Sequence, residues 1–146
     1  MKRPLKLLFD ENFGKPFVDK LAPLLGGFPE TPVIKHVLDY FQSGSSDAEW
    51  IPQVAREDFI VISFDRGRRY GGPKLPQICA EHDVTHVLVS GKLNQRKQAD
   101  KIRAIMEVWL DLAALVDAPR GSRYLLRLTS TGRATLVPQE ETRRRR

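Results

Sequence analysis

Short apolar runs rich in β-branched residues alternate along this chain with segments whose apolar residues follow helical spacing. The runs cover residues 5–9, 33–37, 59–64 and 84–89, and each is predicted to form a β-strand. They are apolar on both faces, which is typical of parallel strands that helices cover on both sides. The alternation therefore predicts an α/β fold, a three-layer α/β/α sandwich with a mainly parallel central sheet.

The segments between and after these strands have helical spacing. They predict helices over residues 15–25, 47–57, 75–82 and about 94–116. The last is expected to be one long amphipathic helix, and its Trp109 suits a homodimer interface as well as the core. Residues 124–128 and 134–137 are predicted to form a terminal hairpin. We expect a single domain over residues 1–138 and a disordered basic tail over residues 139–146.

Composition and charge limit the class of protein. With 146 residues, the chain is long enough to bury a core without disulfides or metals. Its one cysteine, Cys79, is expected to be a buried structural thiol, which favours a reducing, cytoplasmic setting. We expect neither a signal peptide nor a membrane span, since no apolar stretch is long enough. The net charge of +6 favours a polyanion partner, either nucleic acid or an acidic protein segment.

Two of the predicted strands are followed directly by an aspartate. Asp10 follows the first strand and Asp65 follows the third. Because parallel strands end at the same edge of a sheet, we expect both carboxylates at that edge, where ligands bind in open α/β sheets. Two carboxylates there repel each other unless a cation or a proton offsets their charge. The alternative is that each aspartate caps the turn that follows it.

A third acid comes from the stretch Ser46-Asp47-Ala48-Glu49 at the start of a predicted helix. This stretch fits a capping box, in which Ser46 caps the helix and Glu49 reaches back to its amide. Helical geometry turns Asp47 toward the side that carries Ile51, whereas Glu49 points away. Asp47 is therefore the better candidate for the site, and Glu49 for a capping or supporting role.

Three carboxylates at one edge form a hard-oxygen site that suits Mg²⁺ or Mn²⁺. The histidines, which are His36, His82 and His86, lack ligand spacing for zinc and are expected to be strand or helix-end residues. A carboxylate-bound metal beside a basic surface suits phosphodiester chemistry. The basic residues after Asp65 are Arg66, Arg68, Arg69 and Lys74. They are predicted to hold a nucleic-acid backbone, with a solvated basic loop as the alternative.

The motifs Leu7-Leu8-Phe9-Asp10-Glu11-Asn12, Ser46-Asp47-Ala48-Glu49-Trp50-Ile51 and Val61-Ile62-Ser63-Phe64-Asp65 resemble those of PIN-like domains. They are most similar to the compact branch found in bacterial toxin–antitoxin operons. The resemblance covers residues 5–89. It implies an α/β/α sandwich and a Mg²⁺- or Mn²⁺-dependent ribonuclease whose metal-binding, catalytic acids are Asp10, Asp47 and Asp65. It also implies supporting roles for Glu11, Asn12 and Ser63, an RNA substrate, and an antitoxin that covers the site.

One departure from the family pattern leaves the activity open. Many PIN-like domains carry another acid shortly after the third, whereas Asp65 is followed by Arg66-Gly67-Arg68-Arg69. This departure argues against a full two-metal site and leaves a single metal, an altered specificity or a weakened enzyme open. The first alternative function is a non-catalytic module of the same fold that binds nucleic acid or protein. The second is a phosphoacceptor receiver domain. A receiver domain requires a lysine at the end of a later strand, which Tyr124-Leu125-Leu126-Arg127 does not provide, and it would leave Asp47 unused.

Overall fold

The computed structural model describes residues 4–10, 13–25, 32–42, 45–64 and 75–139. Six strands form one sheet in the order β2-β1-β3-β4-β5-β6. The strands are β1 (Lys6–Phe9), β2 (Val33–His36), β3 (Ile60–Phe64), β4 (His86–Val89), β5 (Arg123–Leu128) and β6 (Ala134–Pro138). All neighbouring pairs are parallel except β5 and β6, which form the predicted antiparallel hairpin. The predicted α/β class and mainly parallel sheet are confirmed.

Helices cover both faces of this sheet. They are α1 (Lys15–Leu25), α2 (Asp47–Arg56), α3 (Leu75–Glu81), α4 (Gly91–Asn94), α5 (Gln98–Glu107) and α6 (Trp109–Ala113), with 3₁₀ turns at Val37–Asp39 and Ala114–Asp117. Buried side chains of α1, α5 and α6 pack on one face, and those of α2 and α3 pack on the other. Within the ranges given above, no helix has the length and apolarity needed to cross a bilayer.

Two apolar cores follow from the alternation of side chains along each strand. On the first face, Phe9 contacts Phe13 and Phe17 edge-on, and Phe13 stacks on Phe64 with ring centroids 3.9 Å apart. On the second face, Leu8 packs with the buried residues of α2 and α3. Because both faces are buried, a strand that slipped by one residue would still present apolar groups, and the helices must fix its register.

The single long helix predicted for residues 94–116 is wrong. The chain forms α4, α5 and α6 instead, with extended backbone at Lys97 and a non-helical residue, Val108, at φ −100° and ψ 14°. Val108 is buried, and its N–H still donates to the Ala104 carbonyl at 3.2 Å. The apolar stripe therefore continues across the break, which is why periodicity does not reveal it. Trp109 lies in the chain's own core.

Candidate functional site

The sheet order creates a switch point between β1 and β3. The chain leaves β1 for helix α1 on the first face and reaches, after β3, helix α3 on the second face. In open α/β sheets, such divergence leaves a crevice at the carboxyl ends of the two strands, and ligands bind there. Asp10 is the first residue after β1, and its N–H donates to the Ile62 carbonyl at 3.1 Å. Asp65 follows the last residue of β3 in the chain, but it lies outside the described residues.

Asp10 places a carboxylate in a largely apolar environment. Asp10 is 7% exposed, and it follows Leu8 by two positions, so both lie on the second face of the sheet. The register that pairs Phe9 with Ile62 brings Ser63 opposite Asp10 one position further on. A buried carboxylate is costly unless bonds or a cation offset the loss of hydration. A buried carboxylate at the switch point is therefore a candidate functional residue.

Asp47 lies on the same face of the sheet as Asp10. It is the first residue of α2 and is partly exposed, and α2 buries Trp50, Ile51 and Val54 against the second core. Burial raises the pKa of the Cys79 thiol, and the negative charges of Asp47 and Asp10 raise this pKa further. Both carboxylates are therefore within electrostatic range of the same buried sulfur. Two of the three predicted acids are thus brought to one region.

Glu49 caps the amino end of helix α2. The backbone N–H of Ser46 donates to Glu49 Oε1 at 2.8 Å, which forms the capping box predicted from the sequence. Glu49 itself is exposed. This bond uses the carboxylate for helix capping and leaves Asp47, two positions earlier, as the acid on the sheet side.

The capping role of Glu49 gives a direct prediction. Glu49→Ala is expected to lower the free energy of unfolding by about 0.5–1 kcal/mol, because the Ser46 amide loses its acceptor. Glu49→Gln keeps an acceptor oxygen and is expected to lose less than half as much. Urea unfolding of both variants measures the difference. Equal losses in the two variants would contradict the capping role.

Ser63 contacts a histidine that the sequence did not connect with it. Ser63 Oγ lies 2.7 Å from Nε2 of His86, and both side chains are buried. Burial, together with the charge of Arg123, lowers the pKa of His86 to about 3, so the imidazole is neutral at physiological pH. The pairing of Val61 with His86 places the histidine on the same face as Ser63. His86 thus fixes the Ser63 hydroxyl on the face that carries Asp10, and it is a strand histidine as predicted.

Lys101 is a second residue near this edge that was not assigned to the site. Its Nζ lies 4.8 Å from the centre of the Phe64 ring, and Phe64 is the last residue of β3. Burial lowers the pKa of this lysine. Contact between α5 and β3 depends on the tertiary fold, and no local sequence signal indicates it.

Several predicted site residues lie outside the described ranges. They are Glu11, Asn12, Asp65, Arg66, Arg68, Arg69 and Lys74. Among the residues whose placement the structure gives, no three His, Cys, Asp or Glu side chains form a group that could bind a metal. Asp10 and Asp47 are within this part of the chain, and Asp65 is not. The third member of the predicted acid set therefore rests on its place in the sequence directly after β3.

A cleft of about 220 Å³ opens at the opposite edge of the sheet. Its lining includes Lys6, Phe59, Val84 and Arg120, which lie near the amino ends of the strands. Its described lining residues include none from the acid-bearing edge. The candidate site is thus defined by the strand ends at the switch point and not by this cleft.

Comparison with known proteins adds one match. A family model described as a PIN-like domain matches residues 5–85, a range that contains Asp10, Asp47 and Asp65. No curated protein matches the chain. No solved structure matches it.

Proposed function

The chain belongs to the PIN-like domain family, since the family model matches residues 5–85 of its 146, and we propose that it is a metal-dependent ribonuclease. The observation that carries this proposal is Asp10 at the switch point, with Asp47 on the same face of the sheet and Asp65 next after β3 in the sequence. A nuclease fold with acids at its ligand-binding edge is suited to phosphodiester hydrolysis.

The donor atoms suit a hard divalent cation. Carboxylate oxygens are the ligands that Mg²⁺ and Mn²⁺ prefer, and a cation would also offset the charges of Asp10 and Asp47. We propose that Asp10, Asp47 and Asp65 hold it. When bound, such a metal lowers the pKa of a water and stabilises negative charge on phosphate oxygens.

Other residues of the chain are proposed to orient the metal-binding acids and the RNA. Ser63, held by His86 at 2.7 Å, is proposed to fix the polar surroundings of Asp10. Glu11 and Asn12 follow Asp10 directly and are proposed to support it. Arg66, Arg68, Arg69 and Lys74 follow Asp65 and are proposed to hold the phosphate backbone of the RNA.

The biological setting is a further part of the proposal. We propose that the protein is the toxin of a toxin–antitoxin pair in a reducing, cytoplasmic compartment. The supporting observations are the resemblance of its motifs to that branch, its net charge of +6, and its single buried cysteine, Cys79. An acidic antitoxin segment would be attracted to the basic residues that follow Asp65.

A second candidate function is a non-catalytic binding module with the same fold. The observation that favours it is Arg66-Gly67-Arg68-Arg69, which stands where many family members have a further acid. In this case the protein would bind its partner equally well with and without divalent metal. Chelation therefore separates the two functions.

The test of the proposed function is cleavage of a panel of single-stranded and structured RNAs by the purified protein. The reactions contain Mn²⁺, Mg²⁺ or EDTA. The nuclease is expected to cut at least one RNA with Mn²⁺ or Mg²⁺ and none with EDTA. Cutting that persists in EDTA would indicate a contaminating nuclease. Binding to RNA without any cutting in either metal would favour the second candidate function.

A further inference from the structure

Lysines cluster on the first face of the sheet at the edge that carries the acids. Lys92 lies on α4, which starts directly after β4, and Lys97 and Lys101 lie at the start of α5. Lys20 of α1 joins them, since its Nζ donates to the side-chain oxygen of Gln98 at 3.1 Å. We call Lys20, Lys92, Lys97 and Lys101 the lysine surface.

One contact ties the lysine surface to the candidate site. Lys101 Nζ lies 4.8 Å from the centre of the Phe64 ring, and Asp65 is the next residue in the chain. A cation above an aromatic face is attracted to it, so the ammonium group is held beside the end of β3. The acids of the second face and the lysines of the first face therefore meet at one edge of the sheet.

The lysine surface has no carboxylate at ion-pair distance among the described residues. In the part of the chain whose placement is given, ion pairs with carboxylates involve Lys15, Arg103 and Arg120, and none involves the lysine surface. Lys92 and Lys97 are exposed. Holding like charges together costs free energy unless an anion is bound, so the surface suits an extended anionic ligand.

We propose that the lysine surface binds the phosphate backbone of a single-stranded RNA and guides it to the acids at the carboxyl edge of the sheet. This inference rests on the proposed function, and it extends the RNA-binding region beyond the arginines that follow Asp65. Lysine ammonium groups act as point charges for phosphates and require no fixed bidentate geometry. Their spread over α1, α4 and α5 matches a ligand with repeated charges better than a single phosphate.

The variant Lys97→Gln/Lys101→Gln tests this surface. Its affinity for a fluorescent single-stranded RNA is measured by anisotropy in EDTA at several salt concentrations. We expect binding about tenfold weaker than that of the wild type, and a salt slope lower by roughly 1.4, or about 0.7 for each lost phosphate contact. The variant Lys92→Gln/Lys97→Gln, which changes exposed residues, is expected to weaken binding in the same direction.

The control is Arg56→Gln/Arg127→Gln, which removes the same charge. Both arginines are exposed, with Arg56 at the last turn of α2 and Arg127 next to the buried Leu126, on the opposite face of β5. The control is expected to stay within about twofold of the wild type in RNA affinity. Equal losses in the control and in the lysine variants would overturn the proposal, as would a wild-type protein that does not bind the RNA.

These outcomes are separate from those of the cleavage test. Because EDTA removes metal, binding is measured whether or not the protein cuts RNA. If the protein binds RNA through the lysine surface but never cuts it, the RNA-binding role of the surface holds and the proposed nuclease activity is wrong. If the protein cuts RNA while both lysine variants bind RNA like the wild type, the proposed nuclease activity holds and the RNA-binding role of the surface is wrong. If the lysine variants lose affinity for polyglutamate but not for RNA, the lysine surface binds an acidic protein instead of RNA.

Discussion

Asp10→Asn is expected to lower RNA cleavage by at least about 10³-fold, which corresponds to roughly 4 kcal/mol of transition-state stabilisation. The amide keeps the size of the side chain but removes the negative charge that a divalent cation requires. Asp10 is buried at the switch point, and its charge acts in the same region as that of Asp47. Initial rates of cleavage in Mn²⁺, with the RNA that the wild type cuts best, measure the effect.

The same substitution is expected not to lower the unfolding temperature in EDTA. Replacing a buried carboxylate by an amide removes the cost of burying a charge. Glu49→Gln is the matched control, because it neutralises an exposed acid only two residues from Asp47. It is expected to cleave RNA at nearly the wild-type rate. Cleavage by Asp10→Asn within about tenfold of the wild type would contradict a metal-binding role for Asp10.

The second large effect is a dependence of stability on pH that comes from His86. Burial and the nearby charge of Arg123 lower the pKa of His86 from 6.5 to about 3 in the folded protein. Above pH 6.5 the histidine is neutral in both states, and its contribution to stability is fully present. Between pH 6.5 and about 3, the unfolded chain binds a proton that the folded chain excludes. The free energy of unfolding therefore falls as the pH falls, by roughly 1.4 kcal/mol per pH unit from this residue.

Urea unfolding of the wild type and of His86→Gln from pH 7 to pH 4 measures this contribution. The wild type is expected to lose stability more steeply than the variant below pH 6.5, even if the variant is less stable at pH 7. His82→Gln is the control, since His82 is exposed just after α3. It is expected to retain the wild-type slope. A His86→Gln variant with the wild-type slope would show that another group causes the acid sensitivity.

Much of the fold follows from local sequence patterns. Apolar runs on both faces predicted the parallel strands, and the observed strand ends lie within two residues of the predicted ones. The break at Val108 could not be predicted, because Val108 stays buried and keeps its N–H bonded to Ala104. Helical periodicity reports which face is buried and is insensitive to a single non-helical residue that preserves that face.

The candidate site likewise has some features that local sequence patterns predict and others that only the tertiary fold reveals. The position of Asp10 after β1 and the capping bond of Glu49 depend on neighbours in the sequence, and both could be predicted. The contact between Ser63 and His86 depends on the register of β3 against β4, which no local pattern specifies. The contact of Lys101 with Phe64 depends on where α5 packs, and it too appears only in the folded chain.

Mn²⁺ binding by the metal-free protein is the most direct measurement of whether acids at the strand ends form a divalent-metal site. Titration followed by electron paramagnetic resonance compares the wild type with Asp10→Asn, Asp65→Asn and Glu49→Gln. We expect the wild type to bind Mn²⁺ and the two aspartate variants to bind it at least about 100-fold more weakly, whereas Glu49→Gln is expected to bind it nearly as the wild type does. Mn²⁺ affinity that is unchanged in Asp10→Asn and Asp65→Asn, or a folded wild type that binds no Mn²⁺, would contradict the proposed metal site.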